Sequence, residues 1–521
     1  MGDKRTISFP DYGLTWESET GTSLLEVIRQ AGLPLRSDCG GVGSCGKCQV
    51  LVNGVQQLAC QCYVATDVEV TLSAQASEAD YAILTEHGFD TAMTAGADVE
   101  AGAGARAEVV SEAESGAGTG ADAEADEYAI AIDIGTTTVV GNLLACRTGH
   151  VLATFAQLNQ QRSYGADVIS RIDATMNDAS QLQALITSQI DRSVRELLSQ
   201  ADILPGQVRR VVIAGNTTMI YILLGLPCRS LGLAPYQPEF IYPIRQDWRN
   251  IFNTRTLYCD CFIPPFISAF VGGDVVAGLC SLDSADDFIL MDMGTNGEMA
   301  FRRGSQLLCT ATAAGPAFEG GSIECGSGSI TGAISVVEHQ QGQWQLQTIG
   351  AAPPTSICGS GILDLMAVLL REGLVDRSGL LLAGDADGRL VLADAEQSGS
   401  GRPVYFSQAD VRQFQLAKSA VRSGLEVLLA EMGDSAPAQV FLAGGFGQHL
   451  RPASAMAVGL LPEELTGRIQ AIGNSSLSGA IRLCLSPAAR ESINALPALG
   501  RELNLASNQQ FNTAFMENMA F

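Results

Sequence analysis

Residues 38–60 read DCGGVGSCGKCQVLVNGVQQLAC, and the spacing of their thiols decides what the first part of the chain can be. Cys39, Cys45, Cys48 and Cys60 stand in the order C-x5-C-x2-C-x11-C. Three cysteines within ten residues, interleaved with Gly40, Gly41, Gly43 and Gly46, make poor core but a good cradle for a compact inorganic cluster. Glycines let the backbone pass close to such a cluster and aim N–H groups at its sulfurs. A fourth thiolate from a neighbouring strand completes a four-cysteine set. Zinc usually takes two separated C-x2-C or C-x2-H pairs, and one is present here. A 2Fe–2S cluster is the expected cofactor, with a zinc knuckle or a disulfide pair as the plainer alternatives. Cys62 lies two residues beyond Cys60, and on a strand these share a face, so the residues alone leave either as the fourth ligand.

Working outward, residues 1–75 read as a small α+β domain of β-grasp type. Strands are expected over 6–9 and 14–17, then a helix over 23–31 capped by Thr22, with Leu24, Leu25 and Ile28 on one face and Gly32 stopping it. Beyond the cysteine loop, strands over 48–52 and 55–58 flank Asn53-Gly54, a strong hairpin signal. Residues 67–72 alternate Val68, Val70 and Leu72, a half-buried strand. The first cysteine gap is one residue longer than the plant-type C-x4-C-x2-C, and in this the stretch resembles adrenodoxin-type ferredoxins. Related ferredoxins present their last ligand in LACQ, so the resemblance implies Cys60 rather than Cys62.

The composition then shifts. Residues 78–127 hold thirteen acids against Arg106 alone, within a run of Ala and Gly. With few large apolar side chains and many like charges, residues 76–127 cannot bury enough surface to offset chain entropy, and a flexible acidic tether is expected. Such a tether would let the ferredoxin domain move between donor and acceptor. The net charge of −25 argues against nucleic-acid binding. No run approaches 18 uninterrupted apolar residues, and residues 1–13 lack an apolar signal region. Ten scattered cysteines outside the cluster set suit a reducing cytosol. A soluble, cytoplasmic protein without membrane partners is expected.

At Tyr128 the pattern turns apolar: YAIAIDIGTTTVVGNLLA, a buried strand, a turn carrying Asp133, Gly135, Thr136, Thr137 and Thr138, and a second strand. The design returns at Phe288 as FILMDMGTNGEMAF, with Asp292, Gly294, Thr295 and Asn296. Two copies of strand–D-x-G-T–strand, about 160 residues apart, suggest two similar lobes, residues 128–285 and 286–521. Each turn offers Gly N–H groups and Thr hydroxyls to phosphate oxygens, and a carboxylate, Asp133 or Asp292, to orient hydrated Mg²⁺. A third element, VFLAGGFG over 440–447, ends an apolar strand in Gly444-Gly445, where a base or ribose can press against bare backbone. Together these resemble the phosphate-1, phosphate-2 and adenosine motifs of the actin, sugar-kinase and heat-shock chaperone ATPases. The resemblance implies ATP with Mg²⁺ bound by a two-lobed α/β, actin-like (ASKHA, ribonuclease H-like) domain.

Between the motifs helices and strands alternate, as α/β lobes require. A helix is expected over 180–201, a strand over 210–214 entering GNTTM, and a long helix over 408–432 capped by Ser407. Asp274 in VGGD and Glu319 in AGPAFEGG are the candidate catalytic carboxylates, as a base for attacking water or a support for Mg²⁺; Asp274 has the plainer alternative of capping the next helix. Cys259 and Cys261 form a tempting pair, but with no nearby partner they read as core or loop cysteines. His87, His150, His339 and His449 show no triad or metal spacing.

The combination resembles the reductive activators of corrinoid proteins, the ATP-dependent activating enzymes of corrinoid methyltransferase systems. CGGVGSCGKC, LACQ, IDIGTTT, AGNTT, MDMGTNGE, AGPAFEGGSI, AGGFG and VGLLPEELTGRIQAIGNSSLSGA carry the resemblance, which covers nearly all of the chain outside the acidic run. It implies one-electron reduction of a partner's Co(II) corrinoid to Co(I), with ATP driving a conformational change. The implied partners are a corrinoid protein as acceptor and a low-potential reductant (ferredoxin, flavodoxin or a reductase) as donor; a homodimer is a further expectation. Two other readings are an activator like those of 2-hydroxyacyl-CoA dehydratases, which needs more cluster cysteines, and a non-catalytic redox sensor with a nucleotide-binding domain.

Overall fold

The computed structural model describes residues 3–33, 35, 37, 41, 43, 47–72, 127–282, 286–340, 342–433 and 436–521. Residues 76–126 of the expected acidic tether, and Cys39 and Cys45 of the cysteine loop, lie outside the described residues.

The N-terminal domain is a five-stranded sheet in the order Leu14–Glu19, Lys4–Phe9, Val68–Leu72, Gln49–Val52, Val55–Leu58. Lys4–Phe9 runs parallel to Val68–Leu72 and antiparallel to its hairpin partner, which is the β-grasp arrangement. Asn53 and Gly54 both have positive φ, the conformation the two-residue hairpin demands. The helix Leu24–Gln30 buries Leu24, Leu25, Val27 and Ile28 against the sheet. Its cap is Ser23, whose hydroxyl accepts from Glu26 N, and not Thr22, because the first intrahelical bond runs from Val27 N to Ser23 O while Thr22 O accepts from Val64 N.

The rest of the chain builds two six-stranded sheets on one plan. In the first, the order is Ile244–Asp247, Asp260–Ile263, Val208–Gly215, Tyr128–Ile134, Thr138–Ala145, Val151–Leu158. In the second it is Ile469–Gly473, Gln439–Ala443, Phe288–Met293, Gly297–Arg303, Gln306–Thr312, Gly500–Glu502. Each sheet pairs its D-x-G-T strand antiparallel with the following strand and parallel with a later one, so the repeat seen in sequence is a repeat in topology.

Helices cover both faces, as sheets with apolar residues on both sides require. Val168–Gln200 lays Leu182, Ile186, Ile190, Val194 and Leu197 on the first sheet. The helix expected to start at 180 is the second part of this one. Asp178 leaves helical geometry (φ −152°, ψ 82°), and its carboxylate accepts from Gln181 N and Ser180 Oγ, restarting the helix with a new cap. In the second lobe Gln408–Glu431 packs Val411, Phe414, Val421 and Leu425 on its sheet and is capped by Ser407 with Asp410 in a reciprocal box.

Two helices lie between the sheets. Gly273–Ser281 gives Val276 and Ala277 to the first sheet and Val275 and Leu279 to the second. Ser475–Leu485, from the C-terminal part of the chain, packs Leu477, Ala480 and Ile481 under the first sheet. They touch closely enough that a Cβ on Gly479 would stand 1.9 Å from Ala277 O. Among the described residues, no helix is long and apolar enough to cross a membrane.

Candidate functional site: a cluster pocket and an interlobe cleft

In the N-terminal domain Cys48 and Cys60 bring their sulfurs to 3.3 Å, both buried. The loop before them turns at Gly41 and Gly43, whose φ values of 111° and 87° belong to glycine. A Cβ on Gly43 would meet the Gln61 side chain at 2.4 Å. Two buried thiols in van der Waals contact beside such a loop fit a Cys₄ iron–sulfur cluster. Cys62 is more exposed, and burial raises its thiol pKa.

The second site is the cleft between the lobes. It is lined by Asp133, Gly135, Thr136, Thr137 and Thr138 from the first hairpin and by Asp292, Gly294, Thr295 and Asn296 from the second. Asp274, Glu319, Gly444 and Gly445 line it too, so all residues singled out in sequence for the nucleotide and for catalysis meet in one cavity. The first hairpin is closed by Gly135 N donating to Thr138 O at 2.9 Å, the second by Gly294 N donating to Asn296 O at 3.0 Å. Gly444 has φ 82°, and a Cβ there would stand 2.7 Å from Asp292 Oδ1, so the third motif needs glycine at this point. VGGD is glycine-rich for a similar reason: a Cβ on Gly272 would lie 2.5 Å from Thr217 N of the AGNTT segment.

The acids sit at strand ends and helix starts, where backbone turns away and leaves the carboxylates facing the cleft. Burial raises the pKa values of Asp274 and Asp292 to about 7, and neighbouring carboxylates add to both shifts. Asp133 is raised by burial and partly restored by bonds from Asn474 Nδ2 (2.8 Å) and Ser476 Oγ (2.6 Å). Glu298, opposite Asp292 in the second hairpin, is raised well above the ordinary glutamate value, first by burial and then by Asp274 and Asp292. Among the described residues no three acids, histidines or cysteines stand close enough to ligate one metal ion together, so a hard divalent cation such as Mg²⁺ would have to be held here partly through its own waters. Glu319 Oε2 accepts from Thr137 Oγ1 at 3.2 Å and from Thr295 Oγ1 at 2.8 Å, joining the two phosphate hairpins. Beneath the first hairpin the fully buried Arg171 donates to Thr136 O and to Gly165 O.

Arg162, Asn216, Glu298, Asn474, Ser476, Phe318 and Phe446, none of them a candidate from sequence, also line the cleft. Phe318 and Phe446 stack with centroids 4.6 Å apart. Asn474 and Ser476 had a signal in GNSS at a helix start; Arg162 had none. Cys259 and Cys261 lie in the core of the first lobe, with burial raising both thiol pKa values, so the pair is structural.

A ferredoxin-like domain joined to a two-lobed fold with phosphate hairpins on both sides of one cleft defines an iron–sulfur protein carrying an actin-like ATPase fold. The comparisons with known proteins agree on the class and narrow it. Residues 10–65 match the 2Fe–2S iron–sulfur cluster binding domain, residues 128–285 the RACo middle region, and residues 286–521 the C-terminal domain of RACo, the ASKHA domain. The corrinoid activation enzyme RamQ of Eubacterium limosum is 32% identical over 419 residues, covering 76% of this chain and 70% of the relative. The [Co(II) methylated amine-specific corrinoid protein] reductase of Methanosarcina barkeri is 23% identical over 432 residues, covering 76% of this chain and 77% of the relative. A solved structure of a reductive activator for corrinoid, iron–sulfur protein superposes with a TM-score of 0.68 at 27% identity, covering 99% of this chain and 98% of that one. The chain belongs to the family of reductive activators of corrinoid proteins.

Proposed function

We propose that the chain restores a corrinoid protein by one-electron reduction of its cobalt from Co(II) to Co(I), coupled to hydrolysis of MgATP in the interlobe cleft. What supports this reading above all is one chain that carries both a buried cysteine pair fit for a cluster and a doubled D-x-G-T hairpin around a cluster of acids. Cys39, Cys45, Cys48 and Cys60 would hold the 2Fe–2S cluster, which supplies a one-electron carrier. For a one-electron couple each 59 mV of mismatch costs a factor of ten, which is a reason to attach an ATPase to the transfer.

The residues of the cleft have separable tasks. The N–H groups of Gly135 and Gly294 and the hydroxyls of Thr136, Thr137, Thr138 and Thr295 bind phosphate oxygens. Asp133 and Asp292 orient Mg²⁺ through its water. Asp274, with its pKa near 7, can take a proton from attacking water at neutral pH. Gly444 and Gly445 let the nucleoside approach backbone. A low-potential protein reductant is the donor, a homodimer is admitted, and the protein works in the cytoplasm.

The test is anaerobic. The reconstituted chain is mixed with a Co(II) corrinoid protein and a low-potential reductant, and Co(I) absorbance is followed with and without MgATP. ATP-dependent Co(I), lost in Cys45→Ser and in Asp292→Ala, is expected. No Co(I) with several corrinoid partners, despite a cluster and bound ATP, would overturn the reading.

A further inference from the structure

Among the described residues, the N-terminal domain makes side-chain contacts with both lobes. On the first lobe, Arg29 donates through Nε to Ser163 O at 2.7 Å and through a terminal nitrogen to the same carbonyl. Its guanidinium stands 4.7 Å from the Tyr164 ring centroid, and its side chain is only 10% exposed. On the second lobe, Lys47 Nζ donates to Ile323 O at 3.4 Å. Lys47 adjoins Cys48, so this contact lies beside the cysteine pocket.

Each contact is made to an element that also holds the nucleotide cleft. Ser163 and Tyr164 belong to the short turn Gln160–Tyr164, whose Arg162 lines the cleft. The cap of that turn, Asn159, is strapped to the first phosphate hairpin: its N–H donates to Thr137 O and its Nδ2 to Gly135 O, both at 2.9 Å. Arg171 ties the other end, Gly165 O, to Thr136 O. Ile323 lies four residues past Glu319 in a closely packed loop. A Cβ on Gly320 would stand 2.2 Å from Ser327 O, and Gly326 N donates to Ile323 O.

We propose that the ferredoxin domain is a clasp across the mouth of the cleft, released when the terminal phosphate of the nucleotide takes the Thr137 and Thr295 hydroxyls from Glu319. A hydroxyl has one proton to donate. Thr137 and Thr295 spend theirs on Glu319, and a phosphate seated on the two hairpins claims the same donors and repels the same carboxylate. Glu319 must therefore move, and the closely packed 320–327 loop carries the displacement to Ile323. A small rigid domain anchored to both lobes satisfies both anchors at only one lobe spacing, so lobe movement breaks one of them. Nucleotide binding thus frees the face of the cluster domain beside Lys47 and Cys48. This rests on reading the cleft as a nucleotide site and needs nothing about cobalt.

Coupling of this kind is reciprocal. A nucleotide that undocks the domain binds more tightly to a chain whose dock is already broken. The experiment uses the full chain with its cluster, anaerobically, and Mg²⁺ with a non-hydrolysable imido analogue of ATP. Binding is titrated by calorimetry, and amide hydrogen exchange is read over residues 24–33 and 160–165. In the wild type the bound analogue should speed exchange in both segments. Arg29→Ala and Tyr164→Ala, one from each side of the contact, should show the fast exchange without nucleotide and bind the analogue about fivefold or more tightly. Unchanged exchange with analogue bound, or unchanged or weaker affinity in Tyr164→Ala, would overturn the clasp while leaving the nucleotide site standing. No binding of the analogue to the wild type would overturn the site and the clasp together.

Discussion

Ser476 Oγ lies 2.6 Å from Asp133 Oδ1, joining residues 343 apart in the chain. The serine sits in the first turn of the helix Ser475–Leu485, and the aspartate closes the strand Tyr128–Ile134. With Asn474 on the other oxygen, this bond holds Asp133 charged against the burial that raises its pKa. Ser476→Ala should therefore raise the Asp133 pKa further and weaken Mg²⁺-dependent nucleotide binding at pH 7 by about tenfold, since a hydrogen bond to a charged group is worth about 1.5–3 kcal/mol. Calorimetric titration at several pH values checks this. The loss should shrink as the pH is raised, whereas a deficit independent of pH would assign Ser476 a packing role.

The sign of the pH dependence follows from Asp274 and Asp292. Both have folded pKa values raised from an ordinary aspartate value to about 7. The folded metal-free protein therefore binds more protons than the unfolded chain between about pH 4 and 7, and its stability falls as pH rises through that window. Magnesium requires the ionised carboxylates, so its binding should release protons and strengthen from pH 6 to 8. Calorimetry in buffers of different ionisation enthalpy measures the released protons. No proton release near pH 7 would mean that the acids are already ionised in the metal-free cleft.

The same repulsion makes Asp292→Asn a variant of opposite effects. The amide keeps the shape and removes one buried charge next to Asp133 and Glu319, both of which oppose its ionisation. Above pH 7 the metal-free variant should unfold at a higher temperature than the wild type, by about 2–4 °C for each kcal/mol relieved in a lobe-sized unit. ATP-dependent Co(I) formation should fall by about a hundredfold or more, as expected when a group that positions the metal for phosphoryl transfer is lost. A thermal melt and the Co(I) assay on one preparation test both halves.

Gly444→Ala separates backbone from charge. Its φ of 82° disfavours any side chain, and the added methyl would stand 2.7 Å from Asp292 Oδ1 and 3.1 Å from Met293 O. A residue forced into this region costs about 1–3 kcal/mol. Nucleotide affinity should fall by about tenfold or more while the cluster spectrum stays unchanged. An unaltered affinity would place the nucleoside away from the end of the strand Gln439–Ala443.

Local chemistry was readable in the sequence where one short stretch supplies it. The D-x-G-T turns place acid, glycine and hydroxyl within a few residues, and the Asn53-Gly54 hairpin announces itself because its positive φ values suit so few residues. The repeat of the two hairpins foretold two lobes, and the sheets share one strand plan. What stayed hidden is what arrives from a distance. Asn474 and Ser476 reach Asp133 across the whole ATPase fold, and the Glu298 pKa is raised by burial and then by Asp274 from another element and Asp292 from its own hairpin. Arg29 reads as one more surface charge on a short amphipathic helix, and only docking buries it. The helix cap fell one residue from expectation because Thr22 and Ser23 both suit the role, and the Thr22 carbonyl is taken by Val64 N, which leaves Ser23 O to the first helical bond.

The fourth cluster ligand can be settled by two serine variants. Residues i and i+2 share a face on an extended strand, which left Cys60 and Cys62 equivalent on spacing alone. The fold favours Cys60: its Sγ lies 3.3 Å from Cys48 Sγ, with Cys60 only 7% exposed, and Cys62 lies at the more open side, where its carbonyl accepts from Leu24 N. After anaerobic reconstitution, Cys60→Ser should lose most of the 2Fe–2S absorbance and bound iron or show a shifted electron paramagnetic resonance signal, since serine is a poorer and harder ligand than thiolate. Cys62→Ser should keep about two irons per chain with an unchanged signal, as four thiolates remain. If the losses fell on Cys62→Ser instead, the loop would have to rearrange on cluster binding, and the Cys48–Cys60 contact would belong to the cluster-free protein alone.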